Sequence, residues 1–167
     1  GLTHMLPLSN TAYMRSVIST SSSFSSQDYG IMDSLGTMRD SFYDDLKNNA
    51  LRINSFINKK FSSKLNLRTG VGLNFLDYNY YTRAFQQESE EWNTYIDSKG
   101  ETELYQAYAQ IKYKFSDRFV FSGGLHYAHF TLNQDNSLEP RIGISYELPN
   151  EQKSGLGYGK HTRHEQL

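Results

Sequence analysis

Eleven consecutive residues in this chain alternate strictly between two characters. Leu65, Leu67, Thr69, Val71, Leu73 and Phe75 fall on one side of an extended backbone, and Asn66, Arg68, Gly70, Gly72 and Asn74 fall on the other. Side chains of a β-strand point to opposite faces with period two, so this segment reads as a strand with one apolar and one polar face. Its length is the sharper constraint. A tilted membrane-spanning strand needs about 9–11 residues, whereas strands in soluble domains usually hold about 5–6. Strands of outer-membrane barrels have this length and this two-faced pattern, with apolar residues toward lipid and polar ones toward the lumen.

The pattern recurs. Tyr105, Ala107, Ala109, Ile111, Tyr113 and Phe115 alternate with Gln106, Tyr108, Gln110, Lys112 and Lys114. Similar alternation runs through Phe119–Ala128, Leu138–Leu148 and Ala50–Ile57. The reading is all-β and antiparallel, with about seven or eight strands at residues 11–26, 45–59, 64–81, 102–115, 119–132, 138–148 and 154–162, and the end of another at Gly1–Met5. Short turns are expected at Pro7–Asn10, Lys60–Ser63, Ser116–Arg118 and Pro149–Lys153, and longer connections at Gln27–Asp44 and Thr82–Glu101. Asn133–Ser137 departs from this rule by being short on the long side. Tight turns on one side and long loops on the other are the barrel arrangement, with the turns periplasmic and the loops extracellular.

Composition is compatible with this. Mean hydropathy is -0.66 and no apolar run reaches the ~20 residues of a membrane-spanning helix, but alternating strands keep the average modest. There are no cysteines, which excludes a disulfide framework and a thiolate metal site. A net charge of -1 supplies no field for nucleic acid. The chain starts at Gly1 without a signal peptide, so the expectation is a cleaved signal or an internal piece of a longer protein. Tyr113, Phe115, Phe119 and Phe121 flank one short turn, and Tyr78, Tyr80 and Tyr81 sit at the other end, where aromatic girdles belong.

The wording of strands and turns adds a second argument. The runs that carry it are Gly1-Leu2-Thr3-His4, Asn58-Lys59-Lys60-Phe61-Ser62-Ser63-Lys64 leading into Leu67-Arg68-Thr69-Gly70, Tyr113-Lys114-Phe115-Ser116-Asp117-Arg118, Leu138-Glu139-Pro140-Arg141-Ile142-Gly143 and Gly157-Tyr158-Gly159-Lys160-His161. In order and spacing they resemble the barrel region of TonB-dependent outer-membrane receptors of the Bacteroidetes type. The resemblance spans nearly the whole chain and is weakest at residues 27–50 and 82–101. It implies a barrel of about 22 strands in the outer membrane of a Gram-negative bacterium, in contact with outer-membrane lipid. A plug domain inside it would couple to the TonB complex, and the cargo would be a small scarce nutrient such as an iron chelate, vitamin, glycan or peptide. This chain shows no plug and no recognisable TonB-contacting segment, so residues 1–167 are expected to be a partial barrel with the plug domain outside them.

Candidate site residues follow from the alternation. Asn66, Arg68, Asn74, Gln106, Gln110, Lys112, Glu139, Arg141 and Glu147 would line the lumen, as a wall of charge pairs and hydrogen bonds packed against a plug, with some touching substrate. Glu88, Glu90 and Glu91 beside Trp92 and Tyr95 form an acidic, aromatic run in an expected loop, so Glu90, Trp92 and Tyr95 are candidate extracellular ligand contacts. The other long loop carries Asp28, Asp33, Asp40, Asp44 and Asp45, without EF-hand spacing, and Leu35, Met38, Phe42 and Leu46 at the spacing of a short helix. His126 and His129, and His161 and His164, are three apart and so point to opposite faces of a strand, which leaves neither pair able to chelate. No cofactor is implied, and no nucleophile–base pair, phosphate loop or paired carboxylates point to an enzyme. Two other readings stay open: a stand-alone outer-membrane barrel of about eight strands with a structural or adhesive role, and a soluble β-sandwich binding module.

Overall fold

A computed structural model describes residues 1–32 and 36–162. Among them there is no helix, and eight strands form one antiparallel sheet in chain order: β1 (Leu2–Ser9), β2 (Ala12–Met32), β3 (Met38–Lys60), β4 (Leu65–Gln86), β5 (Glu91–Lys114), β6 (Phe119–Phe130), β7 (Asp135–Glu147) and β8 (Lys153–Gly159). A sandwich would divide these strands between two sheets. Every strand expected from the alternation is present. The two long connections are not loops, however. β2 continues to Met32, β3 begins at Met38, β4 continues to Gln86 and β5 begins at Glu91. The helical spacing of Met38, Phe42 and Leu46 is likewise overridden, because all three lie in β3; Leu35 lies outside the described residues. In these stretches both faces carry polar side chains, so the strands leave no apolar–polar contrast, and backbone ladders with cross-strand side-chain pairs hold them instead.

The described residues cluster into two compact units. The first holds residues 1–19, 52–74 and 103–162. Its turns repeat one device. Phe61 N donates to Leu65 O (2.9 Å) and Ser62 Oγ accepts from Leu65 N (3.1 Å); Phe115 N donates to Phe119 O (3.0 Å) and Ser116 Oγ accepts from Phe119 N (3.1 Å). A Phe-Ser step thus closes both hairpins, with the hydroxyl satisfying a backbone donor that the turn would leave unpaired.

Register in this unit puts like with like. Tyr113 pairs with Phe121, Ala109 with Leu125, Ile111 with Gly123 and Ala107 with Tyr127; on the next ladder Ile144 meets Phe121, Ile142 meets Gly123 and Leu138 meets Tyr127. Small residues opposite large ones keep this apolar face even. Nothing in the described residues covers it: Val71, Ile142 and Leu156 are 53%, 51% and 83% exposed, and the buried apolar residues of this unit are Ala12, Ala128 and Phe130. An apolar sheet face of this extent has lipid, rather than water, as its matching solvent. Phe115 packs against Tyr113 and Phe119, with ring centroids 4.7 and 5.3 Å away, as expected for a girdle at this turn.

Pro140 in the middle of β7 has a local explanation. Its carbonyl accepts from Lys160 N (3.1 Å), beyond the end of the β7–β8 register at Arg141–Gly159. The N and C=O of one strand residue point the same way, so the donor that proline lacks is missing on the side where β8 has ended, and the ladder to β6 stays intact.

The second unit holds the described parts of residues 20–51 and 75–102. Asn49 Nδ2 donates to Asp77 Oδ1 (2.8 Å), and Ser22 Oγ donates to Asn49 Oδ1 (2.7 Å), which ties β2, β3 and β4. Tyr80 OH donates to Asn48 Oδ1 and Thr82 Oγ1 to Asp44 Oδ1, both at 2.6 Å. Tyr78 and Tyr80, with ring centroids 5.5 Å apart, have the parity of Asn74 along β4 rather than that of Leu73. Of the three tyrosines expected to form the second girdle, only Tyr81 has the parity of the apolar residues, and its ring meets Tyr43 at 6.0 Å. The correction follows from alternation itself: residues 78 and 80 cannot share a face with 81.

Candidate functional site

The polar face of the first unit is assembled from alternate positions of several strands. The ladders put Tyr108 opposite His126 and His126 opposite Glu139, then Gln110 opposite Gly124 and Gly124 opposite Arg141. Asn66 Nδ2 donates to Asn58 Oδ1 (3.0 Å), and Asn74 Nδ2 lies 3.5 Å from Gln106 Oε1. By strand parity, these contacts and the recesses they line, Asn66, Arg68, Asn74, Gln106, Gln110, Glu139 and Arg141 lie on one polar face. Asn54, Asn58, Phe56, Tyr108 and His126 belong with them; their parity along β3, β5 and β6 was the signal for it.

Glycines shape this face. A Cβ on Gly70 would stand 2.8 Å from Phe56 Cβ, from Ser55 O and from Tyr108 Cζ, and one on Gly72 would stand 2.7 Å from Asn54 Oδ1. The missing side chains let Phe56 and Tyr108 close over β4, so that aromatic rings from both neighbours shield the glycine backbone. Arg68 then lies over this floor, its guanidinium carbon 3.9 Å from the Phe56 centroid and 5.9 Å from that of Tyr108. Beside it a cavity of about 310 Å³ is lined by Asn54, Gln106, Gln110 and Arg141, and a second of about 430 Å³ by Asn58, Asn66, Lys112 and Arg141.

Charge on this face is only partly matched. Glu139 is 5% exposed and accepts from Arg141 Nη2 (2.9 Å) and from the backbone N of Thr162 (2.8 Å), with His126 Nδ1 at 3.7 Å. Lys153 lies 3.6 Å from Glu147. Arg68 and Lys112, by contrast, have no acidic side chain within 4 Å among the described residues.

The acidic, aromatic run of the second unit is a hairpin rather than a loop. Glu88 and Glu90 lie in the turn, with Glu90 in the left-handed region at φ 54, while Glu91, Trp92 and Tyr95 belong to β5. Trp92 packs against Phe85 (5.8 Å) and under Arg83 (4.6 Å), whose other side faces Tyr43 (5.4 Å). Tyr95 is 67% exposed. Trp92 thus packs within its own unit while 37% of it stays exposed, and with Glu90 and Tyr95 it is an accessible member of the expected contact set.

No group of three or more His, Cys, Asp or Glu side chains is placed to hold a metal among the described residues. His126 faces the polar side, while His129 stacks on Tyr105 with ring centroids 6.2 Å apart on the other. His161 Nδ1 stands 3.5 Å from Arg141 Nη2; Asp33 and His164 lie outside the described residues.

No curated protein matches the chain. The family model described as TonB dependent receptor-like, beta-barrel, matches residues 4–163. With nearly its whole length matched, and with two-faced strands ordered as such a barrel requires, the chain belongs to the TonB-dependent receptor β-barrel family.

Proposed function

We propose that this chain forms part of the wall of an active importer that takes a scarce nutrient across the outer membrane. Family membership carries outer-membrane embedding and ligand transport. The observation that favours the importer over a stand-alone barrel is the polar face. A small barrel fills its interior with bulky side chains, whereas here Gly124, Gly143, Gly155, Gly157 and Gly159 share the face with Arg68, Gln110 and Arg141. That face suits an interior occupied by other protein and by solute. In this reading β1 to β8 belong to a barrel of about 22 strands, a plug domain inside it engages TonB, and the hairpin at residues 87–90 is extracellular. Asn66, Arg68, Asn74, Gln106, Gln110, Glu139 and Arg141 face the lumen, and Glu90, Trp92 and Tyr95 meet ligand at the cell surface.

The test is genetic. A strain lacking the full-length gene is grown with iron chelates, vitamins, glycans or peptides as the limiting nutrient. A growth defect confined to one class, reproduced by disrupting TonB in the parent strain, is the expected result. Growth equal to the parent on every class, at concentrations where TonB disruption is limiting, would overturn the import reading.

A further inference from the structure

We propose that Arg68 is the centre of an oxyanion-binding site, taking a carboxylate or phosphate group through its guanidinium with Lys112 and Arg141 in support. The inference rests on the reading of the polar face as a barrel interior, and adds the chemistry of what that interior receives.

Three observations carry it. Arg141 and Lys153 have acidic neighbours, at 2.9 and 3.6 Å, but Arg68 and Lys112 have none within 4 Å among the described residues. The head of Arg68 is also held in place without an anion. Phe56 lies 3.9 Å and Tyr108 5.9 Å from its guanidinium carbon, so ring faces attract the cation while no described residue accepts from its N–H donors. A guanidinium with its fork unoccupied is suited to bidentate binding of an oxyanion. Finally, there is room beside it. Arg68 lines both recesses, of about 310 and 430 Å³, and so does Arg141; neutral amides of Asn54, Asn66, Gln106 and Gln110 complete the walls as further hydrogen-bond donors. Arg141 keeps 46% of its side chain exposed despite its bond to Glu139, which leaves it free to contribute a second positive charge.

The anion has two potential sources, a free solute or an acidic side chain of the protein that fills the barrel. Both are tested on the full-length receptor with Arg68→Gln, Arg68→Glu and Arg68→Lys, after checking that each variant reaches the outer membrane as a heat-modifiable barrel. The first arm follows thermal unfolding in detergent with sodium citrate, and separately with inorganic phosphate, against sodium chloride of equal ionic strength. If the site is open to solutes, either anion raises the wild-type midpoint, Arg68→Lys keeps the shift and Arg68→Gln loses it. The second arm measures susceptibility of cells to vancomycin, which is too large for ordinary porins. If an acidic side chain occupies the site, citrate and phosphate shift nothing, Arg68→Glu raises susceptibility at least fourfold by displacing the interior domain, and Arg68→Lys leaves it unchanged. Properly inserted variants that move neither readout overturn the site while leaving the transport barrel standing. A wild-type protein that never forms a heat-modifiable barrel removes both.

Discussion

Arg141 Nη2 donates to Glu139 Oε2 at 2.9 Å from a position two residues along the same strand. Residues i and i+2 share a face of β7, so the pair needs no distant partner to form. The other carboxylate oxygen accepts from Thr162 N at 2.8 Å, which fixes the chain just beyond β8. Glu139 thereby joins β7 to the segment that follows β8. Glu139→Ala should destabilise the refolded full-length barrel by about 1–3 kcal/mol, because the Thr162 backbone N–H and the Arg141 cation lose a buried acceptor. Glu139→Gln should cost less, since its amide oxygen still serves Thr162. In a double-mutant cycle with Arg141→Ala, the coupling should be about 0.5–3 kcal/mol by urea unfolding in bilayers. A coupling indistinguishable from zero would reduce the pair to a surface contact.

Leu73 and Asn74 are neighbours on β4 with opposite surroundings. Leu73 continues the series Leu65, Leu67, Val71 on the uncovered apolar face, and Asn74 reaches Gln106 across the polar one. Arginine on a lipid-facing position near mid-membrane costs about 2–4 kcal/mol. Leu73→Arg should therefore lower the folding yield and stability of the full-length barrel in bilayers, and Asn74→Arg should change them little. Equal behaviour of the two variants would show that the faces are misassigned.

What was legible in the sequence, and what was not, divides along β4. From Leu65 to Phe75 the contrast between the two faces is complete, and strand and face follow from it. From Asp77 onward Asp77 and Asn79 stand on one side and Tyr78 and Tyr80 on the other, so neither side is apolar; the expected strand ends at Tyr81 and the expected loop begins at Thr82, whereas β4 continues to Gln86. It is held by pairs such as Asn49–Asp77 and Asp44–Thr82, which join residues 28 and 38 positions apart and leave no local periodicity. The candidate site shows the same limit. Parity alone placed Arg68 and Arg141 on one face. That Arg141 has a carboxylate while Arg68 rests on an aromatic ring depends on β3 and β5 lying either side of Gly70, which spacing along one strand cannot reveal.

Sidedness can be read from two serines. Ser89 lies in the turn between β4 and β5, and Ser62 in the turn between β3 and β4. Successive hairpin ends of an outer-membrane barrel face opposite sides of the membrane, and the proposed topology makes Ser89 extracellular and Ser62 periplasmic. With a cysteine at Ser89 in the full-length protein, an impermeant thiol reagent should label intact cells. With a cysteine at Ser62, labelling should require a permeabilised outer membrane. The reverse pattern would invert the topology and put the acidic hairpin in the periplasm.

The last prediction concerns the two sheet edges. β1 pairs only with β2 and β8 only with β7 in the strand order, so each presents a row of backbone groups without a strand partner among the described residues. Within hydrocarbon no water is present to satisfy such groups, and each unpaired one costs several kcal/mol, so spanning sheets close into barrels. Two closures are conceivable. β1 and β8 could meet each other, giving a barrel of the eight strands here, or each could pair with strands outside these residues. The second is favoured by the polar face, where Gly155, Gly157 and Gly159 of β8 supply no side chains to fill a narrow interior. Leu2 and Tyr158 lie on the outward-facing sides of their strands and offer a direct test. Cysteines at both positions of the full-length receptor should fail to form a disulfide under mild oxidation, because intervening strands hold them apart. The 167-residue chain expressed by itself should aggregate or require detergent, with no cooperative thermal transition, since its apolar face and both edges would meet water. Efficient disulfide formation between the two cysteines, together with a monodisperse heat-modifiable species from the chain alone, would establish the small closed barrel instead.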